Sequence, residues 1–383
     1  MMRLGIRIHK FAVLMVLLSC SSAALAQVSD AAIDSSIDGS IDGLFLEFAS
    51  AHDPGCAVLV IKDGRPVFRK GYGVASLRKL EKIDAETNFR LASLTKQFTA
   101  MAVMLLVHDG KLHYEDTLSD IFPDFPGYGK TITIREILNH TSGLVDYEDI
   151  MAKQYPGIAD DKIPQIKDAG VLDLLKHETG TKFTPGTRWA YSNSGYVLLA
   201  TVVEKRSGMG FGDFLRARIF TPLKMTGTIA YEKGRNGVTH RAYGNTKTGD
   251  GWSETDQSST SATLGDGGVY TSLDDLEKWD RALSAHTLLS AKEMEPALNP
   301  PAANGAPLLQ PDGSVAPLYG FGWFLDPYRG HRRYAHYGET VGFRNAIDRF
   351  PDDHLTVIVL SNRAELDAPA LAESVAALYI PKP

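Results

Sequence analysis

Hydrophobic and polar positions divide the chain into segments of different period. Ile33, Ile37, Ile41, Phe45 and Phe48 recur at mostly four-residue spacing, with Asp34, Asp38 and Asp42 beside the isoleucines, which predicts an amphipathic helix. Two apolar runs, CAVLVI (56–61) and Val67–Val74, flank Asp63-Gly64-Arg65-Pro66 and predict a β-hairpin. Residues 89–110 read FRLASLTKQFTAMAVMLLVHDG. Between Arg90 and His108 this stretch holds a single charged side chain, Lys96, in an apolar, helix-like run, and Ser93 stands three residues before it. From about 105 to 225 the pattern is largely helical, interrupted by Pro- and Gly-rich loops such as FPDFPGYGK. Thr239 to Gly268 is polar and predicts exposed loops or a ragged hairpin. YGFGWFLD, RRYAHYG, FRNAIDRF and HLTVIVLSN then follow one another as an antiparallel meander would, and Ala364–Leu378 predicts a closing helix.

Two early strands and several late ones around a helical middle predict an α+β fold, with one antiparallel sheet built from both chain ends and flanked by helices. A mostly helical lobe, about 105–264, is inserted between the two parts of the α/β lobe, about 27–104 and 265–383. Residues 1–26 stand apart: Arg3, Arg7 and Lys10 precede the apolar run FAVLMVLLS and an Ala24-Leu25-Ala26 cleavage signature. They read as a secretory signal, which makes 27–383 a single exported catalytic domain, periplasmic or secreted. The apolar run is too short to leave a transmembrane segment in the mature chain. A competing reading takes Leu17-Leu18-Ser19-Cys20 as similar to a bacterial lipobox, with Cys20 as the lipid anchor.

Composition narrows the function. At 44 % hydrophobic and 22 % charged, the chain can build a large core. The signal segment carries three of the 40 basic residues and no acid, so its removal moves the net charge from −6 to −9. An acidic chain without a basic cluster argues against nucleic acid as a partner. Cys56 is the one cysteine outside the signal, so an intrachain disulfide does not staple the mature fold.

Three short pieces carry candidate chemistry. S-x-x-K places Ser93 and Lys96 on one helical face, where a lysine can help to remove the serine proton. As a string it is weak, because Ser76-Leu77-Arg78-Lys79 also matches, although in a charged turn. Capping by Ser93 and snorkelling by Lys96 would explain the pair without chemistry. Tyr191-Ser192-Asn193 lies in a polar bend before an apolar helix, Tyr196 to Val203, and presents a phenol and an amide together; ordinary capping by Ser192 or Asn193 is the plain alternative. Lys247-Thr248-Gly249 spells K-T-G, but in a turn-rich loop, whereas His336-Tyr337-Gly338 lies in strand-like RRYAHYGETVGFRN, where Gly338 would let a ligand approach the backbone.

Together, Ser93-x-x-Lys96, Tyr191-x-Asn193 and His336-x-Gly338 resemble the motif set of the serine β-lactamase and penicillin-binding-protein superfamily. The branch that holds class C β-lactamases, D-alanyl-D-alanine carboxypeptidases and related esterases is the most similar, and the flanking ILNHTSGL, PGTRWAYSNSGY and GDGGVYTSLDDLEKW agree with it. The resemblance implies a β-lactamase/transpeptidase-like fold and acyl transfer through a Ser93 ester. Lys96 and Tyr191 would share the acid and base work, and the backbone N–H groups of Ser93 and Glu339 would hold the oxyanion. Asn193 and His336-x-Gly338 would bind substrate, peptidoglycan-derived acyl groups among the candidates, and no metal or organic cofactor is implied. Position 336 departs from the class C pattern, in which a lysine supplies a permanent cation for the substrate carboxylate. Histidine is mostly neutral at pH 7, and Arg344 on the next strand is the candidate to supply the missing charge. A hydrolase of D-alanyl peptides or β-lactams, a carboxylesterase, and a penicillin-binding sensor or scaffold without turnover are the three readings carried forward.

Overall fold

The computed structural model describes residues 36–303 and 306–381. The signal segment, its cleavage site, Cys20 and Ile33 lie outside the described residues. The described residues fall into two compact units that divide after Leu46. In the first, residues 36–45 form the helix that the isoleucine spacing predicts. No helix among the described residues is long and apolar enough to cross a membrane.

The second unit is organised on a five-stranded antiparallel sheet. Its early strands are β1 (Cys56–Lys62) and β2 (Arg65–Tyr72), joined through Asp63 and Gly64 at φ 51° and 73°. Two left-handed residues make the tight turn that matches strand twist, and glycine takes the second at no steric cost. The late strands are β3 (Tyr334–Thr340), β4 (Phe343–Phe350) and β5 (Leu355–Ser361). The order is β3-β4-β5-β1-β2, and Cys56 opposite Ser361 closes the two chain ends against each other. Every residue of β5 is buried, as expected for a strand covered on both faces. Pro66 is tolerated because β2 is an edge strand. YGFGWFLD does not join the sheet as a strand: Tyr319 and Phe324 bridge each other and turn inward onto His336, leaving one bridge from Phe324 to Ala335.

Helix α1 (Lys96–His108) is buried at every position from Lys96 through Leu106, so it runs through the core rather than along a surface. It packs against α3 (Asn193–Ser207), while the shorter α2 (Tyr147–Gln154) begins at Asp146, whose carboxylate accepts from Glu148 N at 3.1 Å. Ser192 caps α3, accepting from Gly195 N at 3.3 Å, so the helix starts three residues before the predicted Tyr196. Helix α4 (Leu273–Ser284) packs on β1 and β5, and α5 (Ala368–Ala376) on β4 and β5. Phe98 of α1 meets Trp279 of α4 at 4.7 Å between ring centroids, and the Trp279 indole N–H donates to Gln97 at 3.0 Å. These contacts fix α1 relative to the sheet, and with it the turn that carries Ser93.

Candidate active site

Ser93 lies in a one-turn 3-10 helix, Ala92–Thr95, that leads directly into α1. Ala92 is held at φ 50°, a left-handed conformation that costs a non-glycine residue about 1 kcal/mol or more. The sheet imposes it. Asn345 of β4 donates its amide to the carbonyls of Arg90 (2.9 Å) and Leu91 (3.3 Å). A Cβ at Gly338 of β3 would stand 2.0 Å from the Leu91 carbonyl oxygen. Gly338 therefore admits the protein's own backbone at that point, a correction to the expectation that it makes room for a ligand.

Lys96 is fully buried and its three donor positions are all used. Nζ donates to Ser93 Oγ (3.1 Å), Asn193 Oδ1 (2.8 Å) and the Asp266 carbonyl (3.1 Å). The rings of Tyr191 and Tyr196 lie 4.9 and 5.6 Å from it. Asn193, the first residue of α3, is anchored in turn by its N–H, which donates to Asp146 Oδ2 at 2.7 Å. Two segments 97 residues apart thus meet on one ammonium, because α1 and α3 pack side by side. Beside Tyr191, the His140 ring lies tilted with centroids 4.3 Å apart and accepts at Nδ1 from Ser192 N at 3.2 Å. Burial, followed by the Lys96 charge, keeps His140 well below the usual histidine range. His140 occurs in the quoted ILNHTSGL, but nothing local in that string tells that it will support Tyr191.

His336 is buried, 1 % exposed, and lies beside the site rather than in the cleft. Its Nδ1 lies 2.9 Å from the Tyr337 N–H and 2.8 Å from the Tyr337 carbonyl, and its Nε2 shares a hydrogen bond of 3.0 Å with the Tyr319 hydroxyl. Burial, and then Lys96, push its pKa down to about 3, so it is neutral at any ordinary pH. It is not among the residues that line the cleft, and it is uncharged at neutral pH. Arg344 corrects the second expectation. Its guanidinium donates to the carbonyls of Thr340 (2.7 Å) and Phe343 (2.8 Å) and pairs with Glu339 opposite it at 2.8 Å. Its partner is itself 74 % exposed, so the guanidinium is paired at the surface rather than turned into the cleft as a lone cation.

Ser93 opens onto a small cleft of about 40 Å³, which Arg90, Tyr147, Glu148, Asn193, Asp266 and Glu339 also line. Glu339, predicted to lend a backbone N–H, lines the same cleft as Ser93, on the strand that packs against the Ser93 turn. Tyr147 is fully buried and donates to Asp266 Oδ2 at 3.0 Å. The surrounding protein, and then the neighbouring carboxylates, hold Glu148 above the ordinary carboxylate range, although its tip reaches solvent at the rim. A larger cavity, about 470 Å³, lies between Gly212 and Thr239 and contains none of the predicted groups. The rival motifs fall away on placement. Ser76 is buried and caps Lys79 N at 3.3 Å while Lys79 pairs with Glu81; Lys247 is exposed in a hairpin, Asn245–Thr248 with Gly251–Glu254. Asp266, Tyr319, Arg90 and Asn345 escaped sequence reasoning, because their roles come from contacts with distant segments.

A serine with a buried lysine at hydrogen-bond distance, a tyrosine and an asparagine at the start of the facing helix, and a terminal antiparallel sheet define a β-lactamase/transpeptidase-type molecule. Comparison with known proteins bears this out: a family model described as Beta-lactamase matches residues 41–380, and the chain belongs to that family. It is 34 % identical over 338 residues to Penicillin-binding protein 4* of Bacillus subtilis (strain 168), covering 84 % of this chain and 71 % of that one. The chain spans 71 % of the length of that protein and 63 % of the length of the flp protein of Staphylococcus aureus (strain MRSA252), to which it is 26 % identical. Among solved structures, the octameric penicillin-binding protein homologue from Pyrococcus abyssi superposes with a TM-score of 0.76 at 24 % identity, covering 90 % of this chain and 77 % of that one. A D-amino acid amidase from Ochrobactrum anthropi SV3 does so with 0.71 at 22 %, covering 90 % and 98 %. The fold and family are those of hydrolases of the serine β-lactamase and penicillin-binding type.

Proposed function

We propose that the protein cleaves amide or ester bonds through a covalent acyl-enzyme on Ser93. The observation that carries this is the bonding of Lys96. Two of its partners, Asn193 Oδ1 and the Asp266 carbonyl, can only accept, whereas Ser93 Oγ can both donate and accept. Once the ammonium has given one proton to solvent, Lys96 keeps two N–H bonds to those carbonyls and turns its lone pair toward the serine hydroxyl. Ser93 Oγ then attacks the substrate carbonyl as its proton passes to Nζ. The oxyanion rests on the N–H groups of Ser93 and Glu339. The C–N or C–O bond breaks, and the leaving nitrogen or oxygen takes the proton through Lys96 and Tyr191. Water attacks the ester by the reverse sequence and releases a carboxylic acid.

D-Alanyl peptides, cell-wall fragments among them, and β-lactams are the substrate class the family suggests; the relatives include a penicillin-binding protein and a fold neighbour that is a D-amino acid amidase. The neutral His336 and the paired Arg344 favour a second reading, an esterase or amidase that does not require a substrate carboxylate. Export, by a signal cleaved after Ala26 or by lipidation at Cys20, is part of the proposal and is tested by the mass of the mature chain. Hydrolysis of nitrocefin, a D-alanyl-D-alanine peptide and a p-nitrophenyl ester by wild type and Ser93→Ala tests the rest. Full retention by Ser93→Ala of any of these activities overturns the acyl-enzyme, and a fluorescent penicillin that labels Ser93 and never clears supports a sensor instead.

A further inference from the structure

We propose that Asp168 is a positioning residue for the base of this site. Its ionised carboxylate holds the loop 264–266 so that the Asp266 carbonyl stays on Lys96, and protonation of Asp168 releases that hold. The inference rests on the acyl-enzyme reading above and adds a pH-dependent control to the same site.

The first ground is geometric. Asp168 begins the helix Asp168–Lys176. Its Oδ2 accepts from Leu264 N at 2.9 Å, and its Oδ1 accepts from Leu264 N and Gly265 N, both at 3.2 Å. Among the described residues these two N–H groups have no other acceptor. On its other side the loop turns two carbonyls to α1: Gly265 O accepts from Thr99 Oγ1 at 2.6 Å, and Asp266 O from Lys96 Nζ at 3.1 Å. A Cβ at Gly265 would stand 2.2 Å from the Tyr196 carbonyl of α3, so the loop is wedged between the two helices. One carboxylate thus fixes, through adjoining peptide units, the carbonyl to which Lys96 donates.

The second ground is the bonding of the base. In the mechanism above, neutral Lys96 spends two N–H bonds on Asn193 Oδ1 and Asp266 O, which leaves its lone pair for Ser93 Oγ. When the Asp266 carbonyl withdraws, one N–H loses its acceptor and turns to Ser93 Oγ, which lies within reach at 3.1 Å. The serine then receives a hydrogen bond where it has to give up a proton. Protonation of Asp168 has this effect, because its O–H sets a donor against the Leu264 and Gly265 N–H groups that it otherwise accepts from. Burial, and then the charge of Asp266, raise the Asp168 carboxyl to about 7, against the pull of those N–H groups. Among the described residues no ion pair or hydrogen bond reaches it from α2 or α3, which pack against its helix, so Asp266 is the charge that acts on it. The loop is held above that pH and released as pH falls through it.

The test uses the purified full chain, with kcat and KM for a p-nitrophenyl ester measured between pH 5.5 and 8.5. Asp168→Asn keeps the shape but cannot ionise. At pH 8.5 it is expected to lower kcat by about tenfold, the worth of one hydrogen bond to a charged group, with KM little changed. At pH 5.5 the wild-type carboxyl is itself protonated, and the ratio of wild type to variant is expected to fall toward one. Glu148, also raised to about 7, is present in both proteins and cancels in that ratio. A ratio that does not change with pH marks an ordinary structural defect and overturns the inference, as does a wild-type kcat in the variant at pH 8.5. Thr99→Val loosens the same loop from the α1 side. Where Asp168→Asn does not fold, a loss of about tenfold in kcat for Thr99→Val supports the proposal and an unchanged kcat overturns it. If a fluorophosphonate labels Ser93 while the ratio stays flat, the Asp168 clamp falls and the acyl-enzyme reading stands. Without labelling, both fall.

Discussion

Replacing His336 by glutamine separates a neutral structural histidine from a substrate-binding cation. In the folded chain His336 takes a proton only below about pH 3, whereas an unfolded histidine does so near 6.5. A folded pKa below the unfolded one means that the unfolded state binds more protons as pH falls. The stabilising share of His336 is therefore complete above about 6.5 and drains away toward 3, by about 1.4 kcal/mol per pH unit. Between pH 7 and 5 the loss amounts to about 2 kcal/mol. Glutamine carries a neutral amide that can bond to the Tyr319 hydroxyl, but it does not titrate. Urea unfolding of both proteins at pH 7 and 5 should show the wild type losing about 2 kcal/mol more than His336→Gln. His140, also depressed by burial and by Lys96, remains in both proteins and cancels in the comparison. A difference below about 0.5 kcal/mol would refute the buried neutral state. In that case His336 could charge near pH 6, and preference for anionic substrates should rise on acidification; the structure predicts that it does not.

Lys96→Met should lower kcat/KM by about 10²–10⁴-fold and slow fluorophosphonate labelling of Ser93 alike, since the proton acceptor at 3.1 Å is gone. A loss in hydrolysis without slower labelling would place Lys96 after the first step. Arg344→Ala should change kcat/KM for neutral and anionic acyl substrates by the same factor, because its charge is already paired with Glu339; a selective loss on anionic substrates would restore it as a binding cation. Tyr147→Phe strips Asp266 Oδ2 of its donor and should cost about 1–3 kcal/mol in urea unfolding. Lys247→Ala, in the exposed K-T-G hairpin, should leave both stability and activity as they are.

Local chemistry determined much of this protein. The Asp63-Gly64 turn, the apolar run of β5 and the unbroken apolar stretch of α1 each specify their element by period and turn residues alone, and the two strand groups at opposite chain ends imply one shared sheet. The order of the three motifs was likewise legible, which is why Ser93, Lys96, Tyr191 and Asn193 could be named before their contacts were seen. What each side chain faces was not, since S-x-x-K occurs twice and reads the same at Ser76 and at Ser93. Packing decided between them: α1 runs through the core, so Lys96 must find acceptors, and α3 and the loop at Asp266 supply them. Packing also settled His336 and Arg344. A strand pattern tells which residues alternate, but only the neighbouring segments decide that Tyr319 covers one and Glu339 pairs with the other. Charge and burial at a site are set by segments far apart in the chain, and so they belong to the tertiary structure.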